Sequence, residues 1–274
     1  MTVPAAFPAA FPGGTNVTRL RVYTSPSIDG LAGGTPHLHT ASSEAYVVVS
    51  GTGALQTINA GGFTETPLAA GSVVWFTPGT VHRAINTGDL NVLVVMSNAG
   101  LPEAGDAVML FPAPILADPA AYAEAARLPA THTSTSTSTN DALSASHPGE
   151  GDVSYLHEGD VAAQRRRDLA VEGFLQLKEA IAGGDLSALD ALYTSAAALV
   201  SGRIDQWRQT WSSTVEAETE ATRALLDALQ TGDGSPLRTA SLHQAVQNEP
   251  LQTEPQHNEK LGMCGWLRTY SVTR

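Results

Sequence analysis

The feature that most constrains the fold is a series of short apolar segments between Thr18 and Asn98, each bounded by glycine, proline or an Asn-Thr-Gly turn. These segments are rich in Val, Ile and Thr, which favour β-strands. The clearest of them are residues 45–50, 54–59, 72–77 and 91–97. The first two meet across Gly51-Thr52-Gly53, which indicates a β-hairpin. Many short strands at close spacing predict a β-sandwich or barrel, because closure removes exposed sheet edges.

The sequence changes character after this β-rich part. Asp118 and Pro119 are typical of the N-cap and the first position of a short helix. Residues 131–152 are dominated by alternating Ser and Thr with very few apolar side chains. Such a segment cannot bury enough surface to fold, so we interpret it as a linker. Beyond it, apolar residues recur at helical spacing, and a first helix is predicted to end at Gly183-Gly184 before Asp185 caps a second one.

Two apolar stripes define the predicted helical region. The first comprises Ala170, Phe174, Leu177 and Ile181, and the second comprises Leu189, Leu192, Ala196, Leu199, Ile204, Trp207 and Trp211. Trp207 and Trp211 could form a ligand platform, but core or partner packing is favoured, since large aromatics four residues apart are typical of a buried face. A third helix is predicted from Glu216 to Leu229.

These patterns divide the chain into five parts. They are an N-terminal arm (1–17), a β-barrel domain (18–130), the Ser/Thr-rich linker (131–152), a helical region (153–234) and an irregular C-terminal tail (235–274). The predicted fold class is mainly β, a sandwich or barrel followed by a small α-helical C-terminal region.

Charge and cysteine content exclude several function classes. The formal net charge of −12 argues against nucleic acid or an anionic membrane as a partner, because phosphate binding needs clustered Lys and Arg. The one basic run, Arg165–Arg167, is expected on the solvated face of a helix. A single cysteine, Cys264, excludes an internal disulfide framework and fits a reducing compartment. With no signal peptide and no apolar stretch of about 20 residues, we expect a cytoplasmic protein.

Two of the eight histidines, His37 and His39, lie two residues apart just before a β-branched run. Residues i and i+2 of a strand point to the same side, so both imidazoles can converge on one cation. Glu44 follows at the start of the next strand, and His82 comes after the turn Pro78-Gly79. A lone strand histidine is more often a surface or core residue than a ligand. The conjunction of the pair, the carboxylate and the later histidine favours a metal site.

The same residues resemble the two sequence motifs of the cupins. The first motif corresponds to His37, His39, Glu44 and Gly51, and the second to Gly71, Pro78, Gly79, His82 and Asn86. The sequence departs from the second motif at Thr77, where the family usually has a proline, and Pro78 supplies similar rigidity. The resemblance covers about residues 18–112 and leaves the linker and the helical region unassigned.

The resemblance implies a single cupin domain, a jelly-roll barrel that binds one divalent metal through His37, His39, Glu44 and His82. It also implies a homodimer, in which the N-terminal arm could be exchanged between copies. Three imidazoles and one carboxylate suit Fe, Mn, Zn, Ni, Co or Cu, and no thiolate narrows the choice, since Cys264 lies outside the motifs. Because histidines bind metal only when deprotonated, we expect metal affinity to fall below about pH 6.

Side chains that share the strand parity of the ligands are expected to line a cavity beside the metal. The candidates are Tyr46, Val48, Gln56, Met96, Asn98 and one of Trp75 and Phe76. Tyr46 is the candidate catalytic residue, because its hydroxyl can contact a bound ligand, and core packing is an equally good interpretation. Asn86 is expected to fix a turn rather than to touch substrate.

Two function classes follow from this site. Four protein ligands leave up to two open positions on an octahedral ion, which suits a metal-dependent enzyme of the dioxygenase, isomerase or lyase type acting on a small polar metabolite. The alternative is a non-catalytic small-ligand-binding or sensing module assembled through its C-terminal helices. We favour the enzyme, because open coordination positions serve no purpose in a purely structural metal site.

Overall fold

The computed structural model describes residues 11–128, 153–243 and 260–270. The strands are β1 (Asn16–Val22), β2 (His37–His39), β3 (Glu44–Asn59), β4 (Gly62–Ala69), β5 (Val73–Phe76), β6 (Val81–Met96), β7 (Ala107–Met109), β8 (Lys260–Leu261) and β9 (Gly265–Tyr270). The α-helices are α1 (Ala113–Leu116), α2 (Pro119–Ala126), α3 (Val153–Ala182), α4 (Ser187–Val200), α5 (Ile204–Trp211) and α6 (Ala217–Gln230). The predicted linker and most of the N-terminal arm lie outside the described residues.

The strands form one antiparallel sheet that folds over into two layers. The two longest strands, β3 and β6, pair with each other and run through both layers. In the first layer, the beginning of β3 and the end of β6 lie between β5 and β1, with β9 and β8 beyond β1. In the second layer, the end of β3 and the beginning of β6 lie between β4 and β2, with β7 beyond β2.

The predicted hairpin across Gly51-Thr52-Gly53 is wrong, because the chain continues through these residues as the single strand β3. The register between β3 and β6 shifts at this level, where the strands pass from one layer to the other. Gly51 has a φ of +82°, and a Cβ there would lie 2.3 Å from the carbonyl oxygen of Asp89 on β6. The glycines therefore make a bulge rather than a turn, because only glycine allows the two strands this close an approach.

Asn86 fixes the matching bend in β6. Its amide nitrogen donates to the carbonyl oxygen of Val22 at 2.9 Å, and its amide oxygen accepts from the backbone N–H groups of Gly88 and Leu90, each at 3.1 Å. The predicted role of Asn86 in shaping the backbone agrees with these bonds.

Two apolar clusters hold the layers in place. The first fills the space between the layers and contains Leu20, Val22, Tyr46, Val48, Leu55, Leu68, Ala84, Leu90, Val92, Val94, Met96 and Cys264. The second joins the outer face of the second layer to the helices, and its sheet residues include Leu38, Ile58, Val81 and Val108. The predicted stripe of Ala170, Phe174, Leu177 and Ile181 on α3 is buried in this second cluster, as expected.

The fold class is confirmed as a mainly β, antiparallel jelly-roll fold followed by a helical region. The barrel is not closed by hydrogen bonds, because in the described residues no pairing joins β4 or β5 to β7 or β8. Strand β4 instead packs against α3, where the rings of Phe63 and Phe174 lie 6.4 Å apart.

The helices begin and end close to the predicted positions, with one exception. Asp118 caps α2 by accepting from two backbone N–H groups, and α3 ends immediately before Gly183-Gly184. The second helix was expected to continue to Trp211, but a short 3₁₀ turn at Ser201–Arg203 divides it into α4 and α5. This turn contains Gly202, and glycine is the least favourable helix residue after proline. Helix α5 then continues into α6 through a π-helical turn, Ser212–Glu216.

The prediction for Arg165–Arg167 is wrong for two of its three residues. Arg165 is exposed, but Arg166 and Arg167 are 9% and 1% exposed. Arg166 donates to the carbonyl oxygen of Gly262, and Arg167 donates to that of Gly33, each at 3.0 Å. Loop carbonyls that lack a strand partner still need a donor when buried, and a guanidinium offers five N–H groups for this purpose.

The predicted irregular tail contains β8 and β9, and β9 pairs with β1 along residues 17–22. Residues 260–270 of this tail therefore belong to the first layer of the sheet. No helix in the parts of the chain that the structure describes combines the length and the apolar character needed to cross a bilayer.

Candidate metal centre

The structure brings His37, His39, Glu44 and His82 together between the two layers. His37 and His39 lie on β2, and His37 is the direct cross-strand partner of His82 on β6. The ring centroids of His37 and His82 are 4.1 Å apart, and those of His39 and His82 are 5.7 Å apart. One ligand atom from each of the four residues lies within 4.8 Å of every other. This group could therefore hold a metal ion.

Strand parity explains why the histidines face inward. His37 and His39 are 2% and 6% exposed and point between the layers, whereas Leu38 between them packs on the opposite side, in the cluster with the helices. His82 has the same relation to Val81, which is also in the outer cluster. The apolar residues next to the histidines thus fix the strand faces, and the histidines have to point to the other side.

Hydrogen bonds to the Nδ1 atoms orient all three rings. The Nδ1 of His37 lies 2.8 Å from the carbonyl oxygen of Thr35, and that of His82 lies 3.0 Å from the carbonyl oxygen of Thr80. The Nδ1 of His39 lies 2.7 Å from Oδ1 of Asp106. Carbonyl and carboxylate oxygens only accept, so each Nδ1 carries the proton and donates it. Each Nε2 is then the atom available to a metal, as outer-shell partners of metal-bound histidines require.

Asp106 is the functional residue that sequence reasoning missed. It is fully buried, and its second carboxylate oxygen accepts from the backbone N–H of Ser42 at 3.0 Å. Its distance of 67 residues from His39 leaves no spacing signal. The other two acceptors do have a signal: Thr35 and Thr80 each precede their histidine by two residues, so the repeated Thr-x-His could have been noticed.

Glu44 completes the group with a buried carboxylate. It is 5% exposed, and its Oε2 lies 3.2 Å from Nε2 of His39 and 3.0 Å from Nε2 of His82. Among the described residues, neither this Oε2 nor the Nε2 of His82 has a hydrogen-bond partner. A buried carboxylate facing imidazole lone pairs needs a positive charge between them. Three imidazole nitrogens and one carboxylate are a donor set that suits a divalent transition metal, so the residues fit such an ion.

The charges in the group shift the pKa values in opposite directions. Burial alone would raise the pKa of Glu44, but His82 and His39 hold it well below its ordinary value. Burial, with His82 and His39 nearby, lowers the pKa of His37 well below its ordinary value. Burial opposes protonation of His39 as well, but the Asp106 and Glu44 carboxylates raise its pKa to about 10. Without a metal, His39 therefore supplies the positive charge that Glu44 requires.

The predicted lining residues occupy different environments. Tyr46 is fully buried, its hydroxyl has no hydrogen-bond partner in the described part of the chain, and burial and the Glu44 charge raise its pKa well above its ordinary value. Phe76 is the inward member of its pair, since its ring centroid lies 4.3 Å from that of His82 while Trp75 is 74% exposed.

The amide side chains that were predicted to line the cavity have partners elsewhere. Gln56 donates to Glu65 at 2.8 Å, and Asn98 donates to the carbonyl oxygen of Ala41 at 2.8 Å. Val48 and Met96 contribute to the core between the layers.

Cys264 lies against the site, although the sequence placed it outside the motifs. Its Sγ is 3.8 Å from Nδ1 of His37, on the side of the ring away from the Nε2 atoms. Burial raises the pKa of this thiol to about 12, so it stays protonated. Cys264 therefore packs behind His37 and adds no ligand to the group.

Comparison with known proteins agrees with this arrangement. Residues 28–97 match the family model described as "Cupin domain". The chain contains a cupin domain. The match includes all four residues of the group, whereas Asp106 and the helices lie beyond it. No protein of curated function matches the sequence.

Several solved structures are similar to the part of the chain that contains the cupin domain. The nucleoside dehydratase Pac13 from Streptomyces is 19% identical with a TM-score of 0.28, and the match covers 36% of this chain and 69% of that one. A predicted oxalate decarboxylase from Thermotoga maritima is 25% identical with a TM-score of 0.23, covering 30% and 64%. A Klebsiella pneumoniae protein with a double-stranded β-helix domain is 24% identical with a TM-score of 0.24, covering 31% and 65%. Similarities of this size carry no information about activity.

Proposed function

We propose that this cupin is a metal-dependent enzyme that binds one divalent ion through His37, His39, Glu44 and His82 and acts on a small polar metabolite. The observation that carries the proposal is the convergence of three histidine Nε2 atoms and one carboxylate in a buried space, with every Nδ1 already committed to an acceptor. Such a set of ligands is preorganised for a cation, because hydrogen-bond acceptors outside the set fix the orientations of the histidine rings.

The open coordination positions are compatible with several reaction classes. Fe, Mn, Zn, Ni, Co or Cu all accept this donor set, and a bound ion would supply Lewis-acid or oxygen chemistry to a ligand at its free positions. A dioxygenase, an isomerase and a lyase are each compatible with such a site. The metal identity separates them, since iron would favour oxygen chemistry.

Tyr46 is the residue best placed to contact a bound metabolite. Its hydroxyl is buried and unpaired within the described residues, and such a group is costly unless a ligand or water satisfies it. The raised pKa keeps the phenol protonated, so Tyr46 would donate a hydrogen bond to an oxygen of the ligand. Phe76 packs beside His82 and excludes water from the same side.

Metal content tests the proposal directly. We would measure bound metal by elemental analysis for the wild type, His39→Ala and the matched control His243→Ala, since His243 is exposed and lies outside the group. The wild type and the control should each hold about one ion per chain, and His39→Ala should lose it. Its melting curve should still be cooperative but shifted to lower temperature, because the buried Asp106 and Glu44 lose a partner. A wild type that retains no more metal than His39→Ala, after saturation and dialysis, would overturn the proposal.

A non-catalytic binding module is the second candidate, and the helical region favours it, because none of the described helical residues belongs to the four-residue group. Turnover separates the two candidates. A metal-loaded protein that binds a metabolite and releases it unchanged, with Tyr46→Phe weakening that binding, would identify the module.

We also propose that the protein works in the cytoplasm as a homodimer. The compartment rests on the cysteine count, because the single Cys264 leaves no pair that could form a disulfide within the chain. The homodimer rests on the cupin resemblance, and sedimentation equilibrium of the full chain tests it.

A further inference from the structure

The loop between β6 and β7, residues 97–106, ends at Asp106, the residue that holds the ring of His39. One face of the helical region lies along this loop. The side chains on that face are Arg203, Trp207, Thr210, Trp211 and Thr214. Their spacing of three or four residues places them in one row, since α5 continues through the π-helical turn. The tryptophan pair that the sequence suggested for core or partner packing belongs to this row.

Every member of the row contacts the loop, and most donate to its backbone. Trp207 Nε1 donates to the carbonyl oxygen of Ala104 at 3.3 Å, and Thr214 Oγ1 donates to that of Ala99 at 3.0 Å. Trp211 Nε1 donates to the side-chain oxygen of Asn98 at 3.2 Å. Trp207 is 4% exposed, so its bond lies in a largely dry environment.

Thr210 fits directly against the backbone of the loop. Its Cγ2 lies 2.5 Å from the position that a Cβ on Gly100 would take. The helix therefore lies so close to the loop that a side chain at Gly100 would collide with Thr210.

Arg203 contacts the residue that directly precedes Asp106. Its Nη1 donates to the carbonyl oxygen of Gly105 at 2.9 Å, and this carbonyl belongs to the peptide unit that leads into Asp106. Gly105 has a φ of +86°, and a Cβ there would lie 2.5 Å from the same Nη1. Because one peptide plane contains both the Gly105 carbonyl and the Asp106 N–H, fixing the carbonyl also fixes the start of Asp106.

A second contact reaches His39 from its backbone side. Tyr193 on α4 donates through its hydroxyl to the carbonyl oxygen of Gly79 at 3.0 Å. The N–H of Gly79 in turn donates to the carbonyl oxygen of His39 at 2.9 Å. The helices thus approach His39 both through its ring partner and through its main-chain partner.

We propose that the helical region is a brace for the metal centre, in which Arg203 and Trp207 are positioning residues that hold Asp106 against the ring of His39. This role gives the helices a function in the site without any residue of theirs in contact with the metal. The part of the proposal that concerns metal affinity rests on the proposed function above. The part that concerns the His39–Asp106 bond does not, because that bond joins Nδ1 of His39 to Asp106 and leaves the Nε2 that faces the group out of account.

The experiment compares five variants of the full chain with the wild type, and one of them, Asp106→Asn, serves as the reference for complete loss of the His39–Asp106 bond. Arg203→Ala and Trp207→Phe remove the donors, and Arg203→Lys keeps a cationic donor. The matched control is Arg208→Ala, which changes an exposed arginine on α5 that is outside the row. The first readout is solvent exchange of the His39 Nδ1 proton in metal-free protein, measured by ¹⁵N-edited NMR. The second is the Kd for Co²⁺, and melting curves show which variants are folded.

We expect faster exchange of the His39 Nδ1 proton and about fivefold weaker Co²⁺ binding in Arg203→Ala and Trp207→Phe, the equivalent of one net hydrogen bond. Asp106→Asn marks the full effect at about 10- to 100-fold, the range for loss of an outer-shell partner. Arg203→Lys should return to wild-type behaviour, and Arg208→Ala should not differ from it.

The brace would be overturned if Arg203→Ala matched Arg208→Ala in both readouts, or if Arg203→Lys behaved like Arg203→Ala. Arg203 is exposed, so its variants should fold even if Trp207→Phe does not. A wild type that binds no Co²⁺ would remove the proposed function, while proton exchange at His39 would still decide whether the helices hold Asp106.

Discussion

The ion pair between Arg83 and Asp29 makes a strong prediction about stability. Arg83 directly follows His82 on β6, and its side chain is 0% exposed. Its guanidinium contacts both carboxylate oxygens of Asp29, at 2.5 and 3.2 Å, and donates to the carbonyl oxygens of Gly34 and Leu31. The Asp29 carboxylate is thus the only anion that these contacts give to a fully buried cation.

The cost of Asp29→Asn follows from this geometry. Removing one partner of a buried pair costs about 3–5 kcal/mol, because the remaining charge stays buried without compensation. The side chain of Asp29 is 12% exposed, so we expect the lower end, about 3 kcal/mol. For a chain of this size that corresponds to a melting temperature lower by roughly 6–12 °C.

The assay is urea unfolding of metal-free protein at pH 7, with Asp227→Asn as the control, since Asp227 is exposed on α6. Burial alone would raise the pKa of Asp29, but Arg83 brings it below its ordinary value of 3.8. The contribution of the pair is therefore present above about pH 4 and is lost as the pH falls through the lowered pKa of Asp29. Unfolding free energies of Asp29→Asn and Asp227→Asn that agree within about 0.5 kcal/mol would refute the reasoning.

Three further predictions concern the site and the fold. Because the pKa of His39 is about 10 without metal, its Nε2 must release a proton when a metal binds, so Co²⁺ affinity should rise about tenfold per pH unit from pH 7 to 9. Titration calorimetry in buffers of different ionisation enthalpy should detect one released proton, whereas an affinity that does not change with pH would contradict the raised pKa. Tyr46→Phe should keep its metal but lower turnover about 100-fold, as for loss of one oriented donor, and unchanged kcat would exclude the proposed contact. Gly51→Ala should lower the unfolding free energy by more than about 1 kcal/mol in urea unfolding, because its Cβ would collide with the carbonyl of Asp89. The loss should exceed that of Gly62→Ala, where φ is also positive but no atom lies within 4 Å of the added Cβ; equal losses would show that only the backbone strain of positive φ acts.

Much of the site was accessible from local sequence. Alternation in a strand is a property of neighbouring residues, so the spacing of His37 and His39 is enough to assign both to one face. The same parity selected Tyr46, which is indeed buried beside Glu44. Parity could not choose between Trp75 and Phe76, because both are large and apolar and the choice depends on which face the opposite layer covers.

Two of the errors in the sequence interpretation have a common origin. Gly51-Thr52-Gly53 looks like a turn in isolation, but its partner strand β6 bends at the same level, so the glycines serve a crossing between layers. Arg166 and Arg167 look like solvated charges, but loop carbonyls distant in sequence needed donors. In each case the deciding group lies far along the chain.

The sequence by itself determined the strand-rich architecture, most of the helix boundaries and the identity of the four residues that could bind a metal. Each of these depends on periodicity or on spacing within a short segment. Only the tertiary structure decided that Asp106 orients His39, that Cys264 packs behind His37 and that Arg203 reaches the loop that carries Asp106. These contacts join residues 67 to 227 positions apart. Their energies come from burial and directed hydrogen bonds, which exist only once the layers and helices have packed.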